Sequence, residues 1–289
     1  MTSLGVLYEL GKGVGQNFST AGDWYKRSAE LGSAEGLFLL GNLNLGINGA
    51  PIDYAVAYDS FERSAKLDYL DAYFMLGRMN EGDFDRPRDD QLAFAWFWKG
   101  AEKGAGDSMN ALGYYYNQGL AVDRDPQIAM DWYVKAMEKG HPMAHFNAGS
   151  LYELGQGVAV DMGKAFELYR KAADLGSADG MYAVGRMYDG AYVQPEDEAK
   201  ALEWYLKAVD AGFTDASVSL AFVYDGLYDS DKAARHILKA ITEGRKVLPG
   251  QLRQFNGFTI RALKRALRDE GLFKGRLTTS IDRRVEKAL

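Results

Sequence analysis

Two histidines, His141 and His145, stand four residues apart, a spacing that could place both imidazoles on one helix face, as in zinc sites. The run between them is Pro-Met-Ala, so no glutamate follows His141 in the metalloprotease arrangement, and His236 is the only other histidine. The chain has no cysteine, which excludes disulfides, thiolate catalysis and cysteine-ligated metals. We therefore expect a structural or exposed histidine pair rather than a metal site.

Two predicted loops resemble ligand-binding motifs in composition, but each lacks residues that its motif requires. The acidic loop that begins at Asp83 has Arg88 where a calcium loop needs its glycine, and Phe94 where it needs its bidentate glutamate. The glycine-rich run from Gly11 to Gly15 is predicted to follow a helix and lacks the Lys-Ser/Thr ending of a phosphate-binding loop. No nucleophile stands near a recognisable base. The sequence thus predicts no catalysis, no cofactor and no bound metal.

Charge is distributed unevenly along the 289 residues, although the net charge is only −6. The residues before Arg245 contain 22 basic and 36 acidic side chains, whereas those from Arg245 onward contain 12 and 4. Such asymmetry is typical of a basic arm for an anionic partner, or of two parts of one chain that attract each other. No apolar run approaches the roughly 18 residues of a membrane span, so we expect none.

The elements that must position these residues follow from a repeat of 36 residues. A period of this length is typical of stacked helical hairpins, each of which needs its neighbours to bury its apolar face. The repeat predicts an all-α solenoid of about seven antiparallel hairpins over residues 1–244. Its marker is a small or apolar pair that returns at Leu4-Gly5, Leu40-Gly41, Leu76-Gly77, Leu112-Gly113, Ala148-Gly149, Val184-Gly185 and Leu220-Ala221.

Each module is predicted to contain two helices, which we call helix A and helix B. Helix A carries the central glycine, with a small residue five positions earlier and often a tyrosine three later, all on one helix face. Helix B carries an aromatic pair such as Trp132-Tyr133 and closes at a glycine such as Gly140. In the second module Asp68 replaces the closing glycine, and the seventh module has a shorter connector. Glycines suited to a left-handed C-cap are expected to end helix A at Gly11, Gly82, Gly119, Gly155, Gly190 and Gly226.

The run from Leu151 to Val158, followed by Asp161, Lys164-Ala165, Tyr169 and Lys171-Ala172-Ala173, resembles the consensus of the Sel-one-like repeat family, which is related to tetratricopeptide repeats. The resemblance covers Met1 to about Gly244 in seven modules. It implies a right-handed superhelix that serves as an adaptor or regulator of other proteins, commonly in the bacterial envelope or in signalling. Because later A helices start about eight residues before their glycine, we expect the first to begin before Met1, in a longer protein.

Two rows of helix A, three positions before and one position after the central glycine, are predicted to line the concave surface of the solenoid. Their residue types change between modules, and aromatic and arginine side chains are common energetic anchors of interfaces. We therefore predict a partner-binding surface composed of Phe38, Asn42, Phe74, Arg78, Asn110, Tyr114, Phe146, Ser150, Tyr182 and Arg186.

A third row of helix A, six positions before the glycine, is acidic. It falls in the first turn of the helix, where each negative charge interacts favourably with the helix dipole by about 0.3–1 kcal/mol. The same stripe could capture a basic peptide, but the position alone accounts for the charge, so the first interpretation is preferred. The row consists of Glu35, Asp71, Asp107, Asp179 and Asp215.

The last residues, 245–289, are predicted to form a separate helical module. After Pro249-Gly250, the spacing of Ile260, Leu263 and Leu267 predicts an amphipathic helix, and a second short helix is expected from Ile281 to Leu289. The first of these helices is predicted to have a basic face made of Arg261, Lys264, Arg265 and Arg268.

The stretch from Phe258 to Leu289 also resembles the peptidoglycan-binding-like helical module, in the runs Leu263 to Leu267, Gly271-Leu272-Phe273 and Ala288-Leu289. Thr278-Thr279 and Asp282-Arg283 replace that family's Asp-Gly and Gly-Pro, so the fold could persist without wall binding. The module is interpreted first as a cap on the solenoid, with a glycan contact as the alternative. No nucleic-acid motif accompanies the basic helix, so no nucleic-acid partner is expected.

These features together predict a non-enzymatic scaffold or adaptor that binds another protein or peptide on its concave face. One alternative is an envelope protein that anchors partners at peptidoglycan through the C-terminal module. Another is the regulatory or sensor arm of an enzyme whose catalytic domain lies outside this chain. The first residues show no signal-peptide pattern, while the resemblance favours the bacterial periplasm or envelope over the cytoplasm.

Overall fold

A computed structural model describes residues 1–82, 84–190, 192, 197–244 and 249–272. Within these residues the chain forms sixteen α-helices and one short 3-10 helix at Ile47–Gly49, and no β-strand occurs among them. The all-α fold of repeated helical hairpins expected from the sequence is confirmed.

The helices alternate along the chain as A and B helices, so that odd numbers from α1 to α13 are A helices and even numbers from α2 to α14 are B helices. Their bounds are α1 Thr2–Leu10, α2 Phe18–Glu30, α3 Ala34–Asn44, α4 Tyr54–Lys66, α5 Leu70–Met79, α6 Asp90–Glu102, α7 Gly106–Gln118, α8 Pro126–Glu138, α9 Pro142–Leu154, α10 Met162–Asp174, α11 Ala178–Asp189, α12 Glu198–Asp210, α13 Ala216–Gly226, α14 Ser230–Thr242, α15 Pro249–Leu252 and α16 Gly257–Asp269.

The chain divides into two compact units. The first comprises Met1–Asn147 together with Gln156–Val158, and the second comprises Ala148–Gly155 together with Ala159–Leu289. The division falls within α9. In the first unit α1 packs on α2, α3 on α4, α5 on α6 and α7 on α8; in the second, α11 packs on α12 and α13 on α14.

Every B helix begins at an aspartate or asparagine that caps its first turn. The side-chain oxygen accepts a backbone N–H at 2.9 to 3.1 Å, which satisfies a donor that has no partner within the helix. Loss of such a cap typically costs about 0.5–2 kcal/mol. The seven caps are Asn17, Asp53, Asp89, Asp125, Asp161, Asp197 and Asp229.

The glycines that close the B helices adopt the left-handed conformation expected of them. Gly32, Gly104, Gly140, Gly176 and Gly212 have φ between 77° and 92°. Asp68, which replaces the glycine in the second module, has the same conformation, with φ of 58°. Aspartate tolerates this region better than most residues, and its carboxylate here accepts hydrogen bonds from the Tyr73 hydroxyl at 3.0 Å and the Lys103 ammonium at 2.8 Å.

The prediction of a left-handed C-cap is wrong at three of the six glycines named for it. Gly82 has φ of 98°, but it lies beyond the C-cap of α5, which is Asn80 with φ of −100°. Gly11 and Gly119 cap their helices in this conformation, with φ of 66° and 72°. Gly190 caps α11 with φ of −91° instead. Gly226 is the last residue of α13, and the left-handed residue of that connector is Tyr228, because the shortened connector leaves less room for the turn.

Each central glycine faces the buried aromatic ring of helix B in its own module. A Cβ atom built at Gly5, Gly41, Gly149 or Gly185 would lie 2.5 to 2.8 Å from a ring carbon, closer than real Cβ atoms approach. Gly77 and Gly113 face their rings in the same way. Only glycine allows helices A and B to pack at this distance. The six rings, all at most 1% exposed, belong to Tyr25, Phe61, Phe97, Tyr133, Tyr169 and Tyr205.

The seventh module replaces both members of this contact. Ala221 stands in place of the glycine, and Ile237 occupies the helix B position that holds the ring elsewhere, seven residues after the first residue of the helix. Both side chains are fully buried in one core cluster. Since isoleucine lacks the extended ring, the methyl group of Ala221 is accommodated.

Helix α16 completes the core at the end of the last hairpin. Its residues Ile260, Leu263 and Leu267 share a buried cluster with Ala234 and Ile237 of α14. A stacked pair, Phe222 and Phe255, adds a second contact, with ring centroids 4.3 Å apart. Terminal hairpins of repeat proteins need such a covering element because one apolar face otherwise remains in water.

We expect Gly41→Ala to lower the free energy of unfolding by about 1–3 kcal/mol, because the added methyl group overlaps the ring of Phe61. Gly163→Ala is the matched control. Gly163 lies in α10, where a Cβ would contact only Asp161 at 3.4 Å, and alanine should stabilise the helix by up to about 1 kcal/mol. Denaturant unfolding followed by circular dichroism measures both effects.

A double variant tests the ring as the cause. Gly41→Ala combined with Phe61→Ile reproduces the alanine–isoleucine pair of the seventh module. This double variant should therefore lose less stability than the sum of the losses of the two single variants. Additive losses would contradict the assignment of the glycine to this contact.

Candidate protein-binding surface

The residue after the central glycine is accessible on successive A helices. On α7, Tyr114 has 46% of its surface exposed. Asn42 on α3 and Arg78 on α5, in the same unit, are half-buried. In the second unit Ser150 on α9 and Arg186 on α11 are also half-buried. Among these five predicted residues, Tyr114 offers the largest exposed fraction and the only exposed ring.

The row three positions before the glycine is half-buried because its members pack on the helix B rings. Phe38 lies 5.5 Å from Phe61, and Phe74 lies 5.8 Å from Phe97, measured between ring centroids. Phe146 is half-buried as well. This packing gives a structural reason for the aromatic residues that the sequence did not reveal, and it leaves only one side of each ring for a partner.

Polar members of the same row join successive modules. In the first unit the Asn147 amide donates to the Asn110 carbonyl oxygen at 2.9 Å. In the second unit the hydroxyl groups of Tyr182 and Ser219 lie 3.3 Å apart. The Tyr182 ring also stacks on Phe213 of the neighbouring connector, at 4.8 Å. These side chains therefore hold neighbouring hairpins together, in addition to any contact with a partner.

A row of carboxylates, which the sequence analysis missed, lies four positions after the central glycine. The hydroxyl of Tyr25 donates to Glu9 at 2.6 Å, that of Tyr169 to Glu153 at 2.5 Å and that of Tyr205 to Asp189 at 3.0 Å. Burial, followed by this hydrogen bond, raises the pKa of Tyr169 above its usual range. The signal was present in the sequence: the second module has Leu45 at this position and Phe61, which has no hydroxyl, on helix B.

The carboxylate row also reaches the next module. Glu9 accepts a second hydrogen bond from the Asn48 amide at 3.0 Å. Glu81, whose own module has a phenylalanine on helix B, accepts the hydroxyl of Tyr115 at 3.2 Å. Glu153 accepts two hydrogen bonds from the Arg186 guanidinium, at 2.8 and 2.9 Å.

Arg186 therefore has a partner within the protein, which the sequence did not reveal. Its side chain is 39% exposed and that of its partner Glu153 is 17% exposed, so the pair is partly shielded from water. Arg78, in the equivalent position of the third module, forms an ion pair at 2.8 Å with Glu81, two residues past the end of its helix. The physical reason is the carboxylate row, which supplies each arginine with a nearby anion.

Three members of the acidic row of helix A, Glu35, Asp71 and Asp215, are exposed, and Asp107 is bound to a histidine. Asp107 accepts a hydrogen bond from Nε2 of His141 at 3.0 Å, while Nδ1 of His141 accepts the Ala144 amide at 3.3 Å. Both ring nitrogens of His141 are thus hydrogen-bonded within the protein. The bond to His141 holds the pKa of Asp107 below its usual range. Burial, and then the charge of Asp107, raise the pKa of Asp71.

The predicted basic face of the C-terminal helix is smaller than expected. Arg261, Arg265 and Arg268 are exposed on α16, but Lys264 is fully buried. Position 264 belongs to the apolar stripe of the helix, because it lies four residues after Ile260 and three before Leu267. Arg261 and Arg265 line a groove of about 750 Å³ together with Tyr228 and Phe258.

The remaining sequence predictions for this region concern residues that the structure does not describe. The second helix expected from Ile281 to Leu289, the substitutions at Thr278-Thr279 and Asp282-Arg283, and Asp83 of the acidic loop all lie outside the described residues. Within the described part, no group of three or more His, Asp or Glu side chains is arranged to hold a metal ion. None of the helices described here combines the length and apolarity needed to cross a bilayer.

Consecutive helical hairpins with one repeated set of interface residues define a helical-repeat protein. The profile of the Sel1 repeat matches residues 1–33, 70–104, 106–141, 142–177 and 178–213, which is more than half of the chain. The chain belongs to the Sel1 repeat family, whose repeats mediate protein–protein interactions. The profile matches five of the seven predicted modules and does not match residues 34–69 or 214–244, although α3 with α4 and α13 with α14 form hairpins there. No curated protein sequence matches the chain.

Solved structures of similar proteins share this fold. A Sel1 repeat protein from Oxalobacter formigenes superposes with a TM-score of 0.66 at 25% identity, over 72% of this chain and 83% of the other. The protective antigen c5321 of uropathogenic Escherichia coli gives 0.62 at 26% identity, over 93% of this chain, which spans about half (56%) of its length. Immunity protein Pa5087 of Pseudomonas aeruginosa, at 21% identity, a TM-score of 0.51 and coverage of 69% and 75%, shows the fold alone.

Charge reversal at Arg186 tests the shielded ion pair. We expect Arg186→Glu to lower the free energy of unfolding by about 1–3 kcal/mol, because Glu153 would then face a like charge in a partly buried site. Arg63→Glu is the control, since Arg63 forms an exposed pair with Asp59 and its reversal should cost about 0.5 kcal/mol or less. Urea unfolding of both variants gives the comparison, and equal losses would contradict a structural role of Arg186.

Protonation of Asp107 tests the bond to His141. Because the folded pKa of Asp107 is lowered, this bond stabilises the fold above the unperturbed pKa of about 3.9, and its contribution is lost as pH falls through the lower folded value. Asp107→Ala should therefore cost about 0.5–1.5 kcal/mol at pH 7, with a difference from the unaltered protein that shrinks toward pH 3. Glu35→Ala, in the same row of α3, controls for loss of a first-turn carboxylate. A difference that stays constant with pH would refute the bond.

Proposed function

We propose that this chain is a non-enzymatic scaffold that holds a partner protein, or an extended segment of one, on the A-helix surface of its first unit. The surface is centred on Asn42, Arg78 and Tyr114, one on each of α3, α5 and α7. The observation that carries the proposal is Tyr114, a tyrosine with almost half of its surface in water, whereas the next residue of the helix, Tyr115, is only 1% exposed. Tyrosine and arginine are enriched among the residues that dominate binding energy.

The spacing of residues on each A helix supports a continuous surface. Asp107, Asn110 and Tyr114 on α7 follow one another at three and four residues, which places them on one helix face. Asp71, Phe74 and Arg78 repeat this arrangement on α5. A partner therefore meets, on each helix, a carboxylate, a half-buried middle residue and a side chain that differs from module to module. Variation in that last position is the feature that would give specificity.

Electrostatics favour a partner that brings positive charge. The pKa of Asp71 is raised by burial and by the negative charge of Asp107, so the two carboxylates repel each other across the surface. A lysine or arginine of the partner placed between them would relieve that repulsion, and it would add charge-assisted hydrogen bonds. In the second unit the corresponding residues are Ser150, Tyr182 and Arg186, and we propose that they serve the same function; Phe146 belongs to the first unit.

Site-specific photocrosslinking in the native host tests this function. A photoreactive phenylalanine analogue at position 42 or 114 should capture the same protein, identified by mass spectrometry. The analogue at position 59 of α4 or 131 of α8, both exposed on B helices, should not capture it. Tyr114→Ala should weaken capture from position 42 by about tenfold, the equivalent of one lost interface anchor. Capture from the B-helix positions, with none from 42 and 114, would refute the proposed surface.

A further inference from the structure

The fifth residue of helix B distinguishes the first module from the five that follow. In α2 this residue is Gly22. The next five B helices have a large side chain there: Tyr58, Phe94, Met130, Phe166 and Leu202. A glycine inside a helix costs up to about 1 kcal/mol relative to alanine, so its presence in α2 has no helix-forming advantage.

Two of these large side chains are phenylalanines, and each packs on a tyrosine of the following A helix. Phe94 meets Tyr116 edge to face at 5.8 Å between ring centroids. Phe166 meets Tyr188 in the same way at 5.4 Å. The residue that corresponds to these tyrosines after Gly22 is Asn44. The first module thus lacks both rings of a pair that two later modules contain.

The missing pair leaves a cavity of about 400 Å³, within the size range of ligand pockets. Gly22 and Asn44 both line it, with Phe18, Leu40, Leu43 and Val56 as apolar walls. Leu40 and Leu43 each keep 6% of their surface exposed, whereas their equivalents Leu112 and Tyr115 in the fourth module keep 0% and 1%. The cavity therefore opens the core of the first two hairpins to water. All of its lining residues belong to the first unit.

The polar rim of the cavity favours positive charge. Asp23 and Asp53 stand at the mouth against a single cation, Lys26. The whole chain before Arg245 also has more acidic than basic residues, 36 against 22. A ligand with a positive charge beside its apolar part is therefore attracted by the carboxylates at the rim, and at longer range by the net negative charge of this part of the chain.

We propose that this cavity binds the aromatic side chain of a peptide segment in which a basic residue stands next to the aromatic one. The ring would occupy the space that Phe94 and Phe166 occupy in their modules, and the basic side chain would meet Asp23 and Asp53. The last hairpin supplies a precedent within the chain. Its residue at this position is the small Ala234, and there apolar side chains of α16, an element outside the hairpin, complete the core.

This inference does not depend on the proposed A-helix surface, because the two sites share no residue. A peptide that binds the cavity and is unaffected by Tyr114→Ala would support the cavity even if the A-helix surface binds nothing. Conversely, loss of cavity binding would leave the crosslinking result unchanged.

Binding of short blocked peptides, measured by protein-observed NMR titration, tests the cavity. N-acetyl-Phe-Arg-amide should shift the signals of Gly22 and Asn44 and should bind at least about tenfold more tightly than N-acetyl-Ala-Arg-amide, which lacks the ring. N-acetyl-Phe-Glu-amide, which has the ring but the opposite charge, should bind more weakly than the arginine peptide, with a difference that shrinks at high salt. Equal binding of the phenylalanine and alanine peptides would overturn the proposal.

Filling the cavity from within provides the matching variant. Gly22→Phe restores the residue type of Phe94, and a Cβ at position 22 would approach only the flexible end of Leu43, at 3.3 Å. This variant should melt at or above the temperature of the unaltered protein and lose at least about tenfold in affinity for N-acetyl-Phe-Arg-amide. Gly163→Phe, which adds the same ring on the exposed part of α10, should leave the affinity unchanged.

Gly22→Met, which copies Met130, serves as a second filling variant if the phenylalanine variant does not fold. Unchanged peptide affinity in a folded Gly22→Phe or Gly22→Met variant would overturn the cavity as the binding site. The same conclusion would follow if Gly163→Phe weakened binding as much as the filling variants.

Discussion

The contact between a central glycine and a fully buried ring sets the distance between the two helices of each module. Because no side chain separates them, the ring of helix B lies directly against the backbone of helix A at the glycine. The same ring packs at a tilt on the aromatic residue three positions before the glycine, and the hydroxyl of a tyrosine ring donates to the carboxylate four positions after it. Glycine, ring, flanking aromatic residue and carboxylate form one geometric unit, in which each part depends on the first.

The carboxylate of that unit connects one module to the next. A glutamate that accepts a tyrosine hydroxyl from its own module has a second oxygen free to accept a donor from the following one, as Glu9 and Glu153 do. Such buried, charge-assisted bonds are costly to leave half-made, so both donors are expected to be present together. The same bonds restrict the surface available for recognition, because the guanidinium of Arg186 already donates to Glu153. Tyr114 is therefore the most exposed of the variable residues.

The sequence predicted the fold because the repeat states the same information several times. A period of 36 residues, the glycines of helix A and the closing glycines of helix B required hairpins, and all seven are present. The candidate surface was harder to predict, because each of its residues occurs once. The ion pair of Arg186 could not be predicted, since its partner Glu153 lies 33 residues away, on the preceding A helix. Lys264 was wrongly placed on the basic face, because its residue type suggested a surface position, whereas its spacing from Ile260 and Leu267 puts it on the apolar stripe.

The capping aspartates have a consequence for how this architecture tolerates changes of length. Each B helix begins at its own cap, so the rotation of the helix about its axis is set anew in every module, independently of the connector before it. The seventh module shows this: its glycine-equivalent and its ring-equivalent are 16 residues apart instead of 20, yet Ile237 still lies in the core beside Ala221. Connectors between helices A and B can thus gain or lose residues during evolution without disturbing the core. Insertions that differ from module to module are therefore expected in these connectors.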